Sequence, residues 1–401
     1  MVNWQKRVVL SLVALMIAST MFVAGFGIGH YVVPSRQAIL AGTAEEYQSQ
    51  FEIFWEAWRV IEDRFYTEEP LDPQQMTYGA VRGMVASLDD PHTAFLEPAQ
   101  AELFRTDLEG EFSGIGATVT VSEEGYIRVT KPLAGSPAEK AGLRSGDLII
   151  EVDGHPVQGL DLVQAILLIR GQEGTEVRLL VDRIEGGTAE VTISRAVITV
   201  PTTEAQMLQD GIGYLAIYEC NAKAPDEVRD GLRQLLAEGA HTLILDLRGN
   251  PGGYLHVAKE IASEFFDGGL LLIERGSDGR EIRHEASSDG IAIQIPLVVL
   301  VDGGSASAAE IIAGAIQDRD RGILVGEQTF GKGSVQINQR LSDGSALQIT
   351  IRRWYTPKDR QIKGQGLSPD IVVERTEEDL RVGRDPQLDR ALSYIMSGSA
   401  Q

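Results

Sequence analysis

The chain has 401 residues, 36 Lys+Arg against 58 Asp+Glu, a formal charge of −22 and one cysteine. That length accommodates two or three domains with sizeable cores, and 43% apolar with 23% charged residues excludes a disordered chain. The acid excess argues against nucleic acid as a partner, because a phosphate backbone demands a basic surface. A lone cysteine excludes an intrachain disulfide and a multi-thiolate zinc site.

From Val8 to Val33 no Lys, Arg, Asp or Glu interrupts the chain, and roughly 20 such residues cross a bilayer core. Lys6 and Arg7 precede the run and keep the N-terminus cytoplasmic under the positive-inside rule. A cleaved signal peptide is the other reading, but its apolar stretch is about 7–15 residues. The small residues Ala41-Gly42-Thr43-Ala44 lie far beyond the run. Residues 8–33 are therefore expected to be a retained single-pass membrane anchor, with everything after it extracytoplasmic, periplasmic or extracellular.

Residues 45–108 read as a helical N-terminal domain. Phe51, Phe54, Trp55, Trp58, Ile61 and Phe65 recur at steps of three and four, the pattern of one buried helical face. A break at Pro70–Pro73 precedes a second helical pattern from about Gln74 to Ser87. Asp89-Asp90-Pro91-His92 then reads as a turn, with His92 structural.

From 109 to 195 short β-runs alternate with glycines. Phe112-Ser113-Gly114-Ile115-Gly116 leads into a strand over 117–121. Ser136-Pro137-Ala138-Glu139 has the capping-box arrangement, and Gly142 suits the left-handed position after the helix. Gly146-Asp147 turns into the strand Leu148–Val152, followed by a helix over 160–170 and a strand over 175–182. This order, and the stretch Ser136 to Asp147 in particular, resembles a PDZ domain. The resemblance implies that Gly114, Ile115 and Gly116 form a loop whose N–H groups capture a peptide C-terminus.

From 196 to 375 apolar strands alternate with helical patterns, an α/β arrangement. Thr242–Leu247 runs into Arg248-Gly249-Asn250-Pro251-Gly252-Gly253 and a helix around 256–266. Pro296–Val301 runs into Asp302-Gly303-Gly304 and a helix from about Ala308 to Gln317. The segment 376–401 is charged and then weakly helical, expected to be a tail that docks on the chain or forms the contact of a homo-oligomer.

Four constellations test the chemistry. Gly326 to Lys332 matches G-x-x-x-x-G-K, but Gly333 stands where Ser or Thr must hold Mg²⁺, and Val335–Asn338 alternates like a strand. Cys220 lies in an apolar strand-like run without positive neighbours, which makes it structural. The six histidines show no metal-ligand spacing, and no metal or other cofactor is expected. No G-x-S-x-G elbow supports a Ser-His-Asp triad.

A Ser-Lys dyad fits best. Ser307 follows a strand and a glycine turn and precedes a helix, so its hydroxyl projects where free N–H groups stabilise an oxyanion. Ser307-Ala308-Ala309-Glu310 is also a capping box, which by itself needs no catalytic role. Lys332 lies between Gly331 and Gly333, which free its side chain and admit a close neighbour. A lysine must be desolvated to act as a base near neutral pH. Gln336, four residues on, shares its face in a strand or a helix and could orient the neutral amine.

Gly304-Ser305-Ala306-Ser307-Ala308-Ala309-Glu310-Ile311, then Phe330-Gly331-Lys332-Gly333 and Gln336, resembles the C-terminal processing peptidases, or tail-specific serine proteases. Asp246 to Gly253 is similar to another motif of that family. The resemblance implies Ser307 as nucleophile, Lys332 as general base and Gln336 as orienting residue. It implies oxyanion donors at the N–H of Ala308 and of a glycine in Pro251-Gly252-Gly253, with Gly253 preferred. The implied fold is multi-domain α/β: anchor (8–33), helical domain (45–108), β-barrel-like PDZ domain (109–195), crotonase-like serine protease core (196–375) and tail (376–401). The implied activity is endopeptidase cleavage of proteins bound by their C-termini; a catalytically inactive PDZ scaffold and an enoyl-CoA-type enzyme are the alternatives. One departure from the family pattern is Glu219-Cys220, where apolar or hydroxyl residues are more usual, which leaves the substrate groove open.

Overall fold

The computed structural model describes residues 47–184 and 186–398. The expected anchor at 8–33 lies outside the described residues, and among the described residues no helix is long and apolar enough to cross a membrane. The chain divides into two compact units, residues 1–77 and 78–401.

In the first unit, helix α1 (Gln48–Arg64) carries the aromatic stripe, but none of its residues is buried. The expectation that this stripe is core therefore does not hold. Its rings pack on one another along the helix, Phe54 lying 5.0 Å from Trp55 and 5.8 Å from Trp58 between centroids. Helical periodicity reports which residues share a face, not what covers that face. Helix α2 (Pro73–Ala86) starts on a proline, whose missing N–H is harmless there.

The second unit begins within α2. Tyr78 and Val85 of that helix cluster with Phe95 of the short strand β1 (Ala94–Leu96). Helix α3 (Pro98–Glu109) follows and ends on left-handed Gly110. A two-stranded stalk, β2 (Glu111–Gly114) with β9 (Ala196–Thr199), brackets the next module.

That module contains β3 (Ala117–Val121), β4 (Ile127–Pro132), α4 (Pro137–Lys140), β5 (Leu148–Val152), β6 (His155–Pro156), α5 (Leu162–Ile169), β7 (Glu176–Asp182) and β8 (Thr188–Ser194). Its antiparallel sheet runs β3-β4-β5-β7-β8 around Ile127, Val129, Ile149 and Leu179. Ser136 caps α4 as expected, accepting the Glu139 N–H at 3.2 Å. The reciprocal arm lands one residue early, since Glu139 Oε2 accepts from Gly135 N–H at 2.7 Å.

The remaining elements are β10 (Thr203–Met207), β11 (Ile212–Ile217), α6 (Ala224–Ala237), β12 (Thr242–Asp246), α7 (Leu255–Ser263), β13 (Leu270–Gly276), β14 (Glu281–Glu285), β15 (Leu297–Val301), α8 (Ala308–Asp318), β16 (Ile323–Gly326), β17 (Ser334–Arg340), β18 (Ala346–Tyr355), β19 (Ile371–Val372), α9 (Glu377–Val382) and α10 (Pro386–Met396). A six-stranded sheet runs β10-β11-β12-β15-β16-β19, parallel from β11 to β19. Its central strands β12 and β15 are buried throughout, which explains their unbroken apolar runs. Helices α6, α7 and α8 contribute to the large core that includes Leu245 and Val299, while α10 covers Ile244, Val298 and Leu300. The tail thus docks on its own chain. Arg248 fastens it, pairing with Asp246 at 2.6 Å and with Asp385 at 2.7 Å.

A second, antiparallel sheet pairs β18 with β17 along one edge and with β1 and β13 along the other. The loops that leave the carboxyl ends of β12, β15 and β16 then face this sheet's β17, where open α/β sheets place their sites.

Candidate active site

Three loops meet at one place. After β15, Asp302 Oδ1 accepts the N–H groups of Gly249, Gly304 and Ser305 at 2.8, 2.9 and 3.0 Å, tying the post-β12 loop to the loop that carries Ser307. Ala306 N–H donates to the Asn250 carbonyl at 2.9 Å. Ser307 follows at φ 53°, ψ −111°, outside the usual range for a non-glycine residue and for an N-cap. Such a conformation persists only where its surroundings over-determine it.

Glu310 supplies the strongest of those restraints. Fully buried, it extends one oxygen to the N–H of Ser307 (2.8 Å) and of Lys332 (2.9 Å). The other oxygen takes the Thr329 hydroxyl (2.6 Å) and the Gly331 N–H (2.7 Å). One carboxylate therefore clips the loop before α8 to the loop after β16. Burial pushes its carboxyl above the ordinary range, and the bonds from Thr329, Gly331, Ser307 and Lys332 oppose that shift. Sequence reasoning saw Glu310 only as half of a capping box and missed this second reach.

Lys332 is half-buried. Loss of solvent holds its ammonium below the ordinary lysine range, and the charge of Glu310 partly restores it. The flanking glycines do admit a close neighbour: a Cβ on Gly331 would lie 2.8 Å from Gly366 N, and one on Gly333 2.7 Å from Lys363 N. The Lys332 carbonyl accepts the indole N–H of buried Trp354 at 3.0 Å.

Gln336 sits on β17 as the alternation required. A β-bulge between Val335 and Gln336 brings Thr350 of β18 opposite it. Its Nε2 donates to Ser334 Oγ (2.7 Å) and Thr350 Oγ1 (3.1 Å), which uses both amide hydrogens and leaves Oε1 as an acceptor. Behind Thr350 stands the turn before β1. Thr93 Oγ1 accepts the Thr350 N–H at 3.1 Å and donates to Asp90 Oδ2 at 2.7 Å. Against the cost of burial, hydrogen bonds from Thr350 and Thr93 keep the Asp90 carboxyl below its ordinary range. His92, read as structural, belongs to the same turn; burial and the nearby Lys332 charge hold its imidazolium down.

The glycine loop after β12 closes the other side. A Cβ on Gly252 (φ 108°) would stand 2.7 Å from Ser307 Cβ and 3.0 Å from Ala308 N. Gly252 N–H is occupied by Asn250 Oδ1 at 2.9 Å. Gly253 pairs with Cys220 as an isolated parallel bridge, through Cys220 N–H to Gly252 O (2.7 Å) and Tyr254 N–H to Cys220 O (3.0 Å). In that pattern the bridge uses neither polar group of Gly253 itself. Ala308, the first helical residue, has no intrahelical acceptor for its N–H. Cys220 is buried, and loss of solvent pushes its thiol up to about 12, consistent with a structural residue.

Ser307, Ala308, Gly253, Lys332 and Gln336 all line one cleft of 980 Å³, walled on its far side by α3. Gly114, Ile115 and Gly116 do not line it: Gly114 ends the stalk strand β2, paired with Ala196, and Ile115 and Gly116 lead from it into β3. Among the described residues no group of three or more His, Cys, Asp or Glu converges as metal ligands would.

Family models match in chain order. Residues 29–99 fit the N-terminal domain of the activating protease CtpB, 128–183 a PDZ domain, and 211–373 peptidase family S41. The carboxy-terminal processing protease CtpA of Bacillus subtilis (strain 168) is 34% identical over 88% of this chain and 74% of that protein. The chain belongs to the carboxy-terminal processing proteases of peptidase family S41. A Synechocystis member, the carboxyl-terminal-processing protease, is 36% identical over 86% of this chain and 82% of its own. Among solved structures, the photosystem II D1 C-terminal processing protease aligns at 32% identity and a TM-score of 0.53, covering 81% of this chain and 93% of its own. Membership makes the chain a serine-type peptidase with a PDZ domain, and the mixed α/β, multi-domain architecture read from the sequence is the family's.

Proposed function

We propose that this protease is a Ser-Lys endopeptidase that holds substrate proteins by their C-termini in its PDZ domain and cleaves their C-terminal regions outside the cytoplasm. The observation that carries the reading is the shared Glu310 oxygen, which brings the backbones of Ser307 and Lys332 to one acceptor at the mouth of one cleft. The neutral Lys332 amine accepts the Ser307 proton as the serine oxygen attacks a peptide carbonyl, and the protonated amine returns it to the leaving nitrogen. Water then hydrolyses the acyl-enzyme. The N–H groups of Ala308 and Gly253 hold the oxyanion. Gln336, its amide hydrogens already committed, turns its oxygen to the lysine.

Tail capture falls to residues 114–116. The carbonyls of Ile115 and Gly116 are taken by the N–H groups of Ala138 (2.8 Å) and Leu133 (2.9 Å). Donors, not acceptors, are thereby left for a carboxylate. The apolar run at 8–33 and the basic residues before it support a single-pass anchor with an extracytoplasmic catalytic part.

The test is degradation of a loosely folded protein with an apolar C-terminus by the full-length chain, beside Ser307→Ala. Wild type is expected to cleave and Ser307→Ala to bind the tail without cleaving. Equal, slow loss with both would return the protein to the scaffold reading. Because only the neutral amine serves as base, kcat/KM is expected to rise with pH through the lowered Lys332 pKa. A flat profile from about pH 5 to 10 would remove Lys332 from that role.

A further inference from the structure

The cleft wall contains three carboxylates whose partners differ. Glu102 is tied to Arg105. Asp343 receives the Tyr78 hydroxyl at 2.8 Å and the Ser345 hydroxyl at 2.6 Å. Glu219, half-buried, has no cation: its one hydrogen bond among the described residues is a 3.5 Å contact from Asn221 Nδ2. Arg105, which lines the same cleft, is committed to Glu102 and Glu109; Arg170 pairs with Asp107 at 2.8 Å and Lys223, four residues along the chain, with Glu111 at 2.5 Å. Burial raises the Glu219 carboxyl, the Asn221 hydrogen bond opposes this in part, and the charge of Asp107 adds to it. A desolvated carboxylate without a counterion is costly and gains strongly from any cation brought to it.

Its position has a meaning for a bound chain. Glu219 precedes Cys220, whose backbone brackets Gly253. The residues that follow are laced to the corner between α3 and β2, where the polypeptide passes into the PDZ domain. Ala222 N–H donates to the Leu108 carbonyl at 3.0 Å, and a Cβ on Gly110 would lie 2.8 Å from Asn221 Nδ2. Glu219 thus occupies the end of the cleft nearest the module proposed to hold the substrate's C-terminus.

We propose that Glu219 forms a cleft subsite for a lysine or arginine side chain of the substrate, on the C-terminal side of the cleaved bond. The inference rests on the protease reading above and adds a selectivity to it. It also gives a physical role to a position that departs from the family pattern.

The test uses the full-length protein and peptides with an apolar C-terminus, bearing Lys, Gln or Glu at each of four positions on either side of the scissile bond. Wild type is expected to favour Lys over Gln by roughly tenfold in kcat/KM at one downstream position, with Glu poorest. Glu219→Gln should bring the ratio near one, and Glu219→Lys should invert it. An unchanged ratio in Glu219→Gln, or a charge preference only upstream, would overturn the proposal. A second arm measures binding of the same peptides, amidated so that no tail carboxylate contributes, to Ser307→Ala with and without Glu219→Gln. Loss of the Lys preference on adding Glu219→Gln supports the subsite, and equal affinities in both overturn it, even if no variant cleaves and the protease reading itself fails.

Discussion

The two turns proposed to offer backbone N–H groups to an oxygen anion are braced differently. The turn at 302–308 is tied by side-chain carboxylates, Asp302 to three N–H groups and Glu310 to the backbones of Ser307 and Lys332. The turn at 113–116 is set by the burial of Ile115 and by two backbone bonds to its carbonyls. Among the described residues no carboxylate accepts its N–H groups as Asp302 and Glu310 do at 302–308. A transition state rewards donors already in place, so small displacements cost rate. A tail that binds and leaves tolerates a turn that adjusts around it.

Substituting the glycine closest to each turn separates the two. Gly252→Ala forces a Cβ to 2.7 Å from Ser307 Cβ at a backbone φ of 108°, so either Ser307 or the 251–253 loop must shift. A fall of about 10²-fold in kcat with little change in KM is expected, the scale of losing one oxyanion donor. Steady-state kinetics on a short peptide would check it, and an equal loss shared with KM would mean that the loop binds substrate instead. Gly116→Ala is the counterpart: its φ is 75° and its Cβ would meet Ser136 Cβ at 2.6 Å. Here the expected change is a rise of roughly tenfold in KM for a substrate with a free C-terminus, about the worth of one charge-assisted bond. The amidated substrate should show no change.

How far each turn was legible depends on whether its contacts are local. The spacing of Ser307, Lys332 and Gln336, the glycines around the lysine, and the strand-turn-helix order all lie in contiguous stretches, and the structure brings those residues to one cleft. Ser136 and Gly142 mark α4 for the same reason. The aromatic stripe of α1 shows the limit, since its spacing is right and its burial is absent. Glu310 has a local partner, Ser307, that any reader of capping boxes finds, and distant partners at 329–332 with no signature near it. Thr93 and Thr350 are 257 residues apart, and only the pairing of β1 with β18 joins them. Glu219 stood out as a departure, but its lack of a counterion is a property of the folded neighbourhood.

Glu310→Gln probes the brace itself. The amide offers one acceptor oxygen where three N–H groups and a hydroxyl now converge, so its NH₂ must face a donor. A loss of about 1–3 kcal/mol in stability is expected, measured by denaturant unfolding. The second effect has a definite sign. The Glu310 charge raises the Lys332 pKa, so removing it lowers that pKa further. The neutral amine then appears at lower pH, and the acid limb of the kcat/KM profile should move to more acidic values. A limb that moves toward alkaline pH would mean that Glu310 does not act on the lysine through its charge.

The smallest effect expected belongs to Thr350, and it asks how far bracing extends behind the lysine. Thr350 Oγ1 accepts one hydrogen of the Gln336 amide, and the bulge at that pair keeps the two residues opposed. Its backbone N–H reaches Thr93, which binds Asp90 on the turn that also carries His92. Replacing it with isosteric valine leaves the strand and its N–H bond to Thr93 intact but lets the amide rotate. In the proposed dyad a flipped Gln336 would offer NH₂ where its oxygen is to accept from the Lys332 amine, and would compete with Ser307 for the amine's lone pair. The expected cost is about threefold to tenfold in kcat, the worth of one hydrogen bond, with KM unchanged. Thr350→Ser should restore most of it. If the valine and serine variants behave alike, Gln336 is oriented by Ser334 alone and the brace ends at β17.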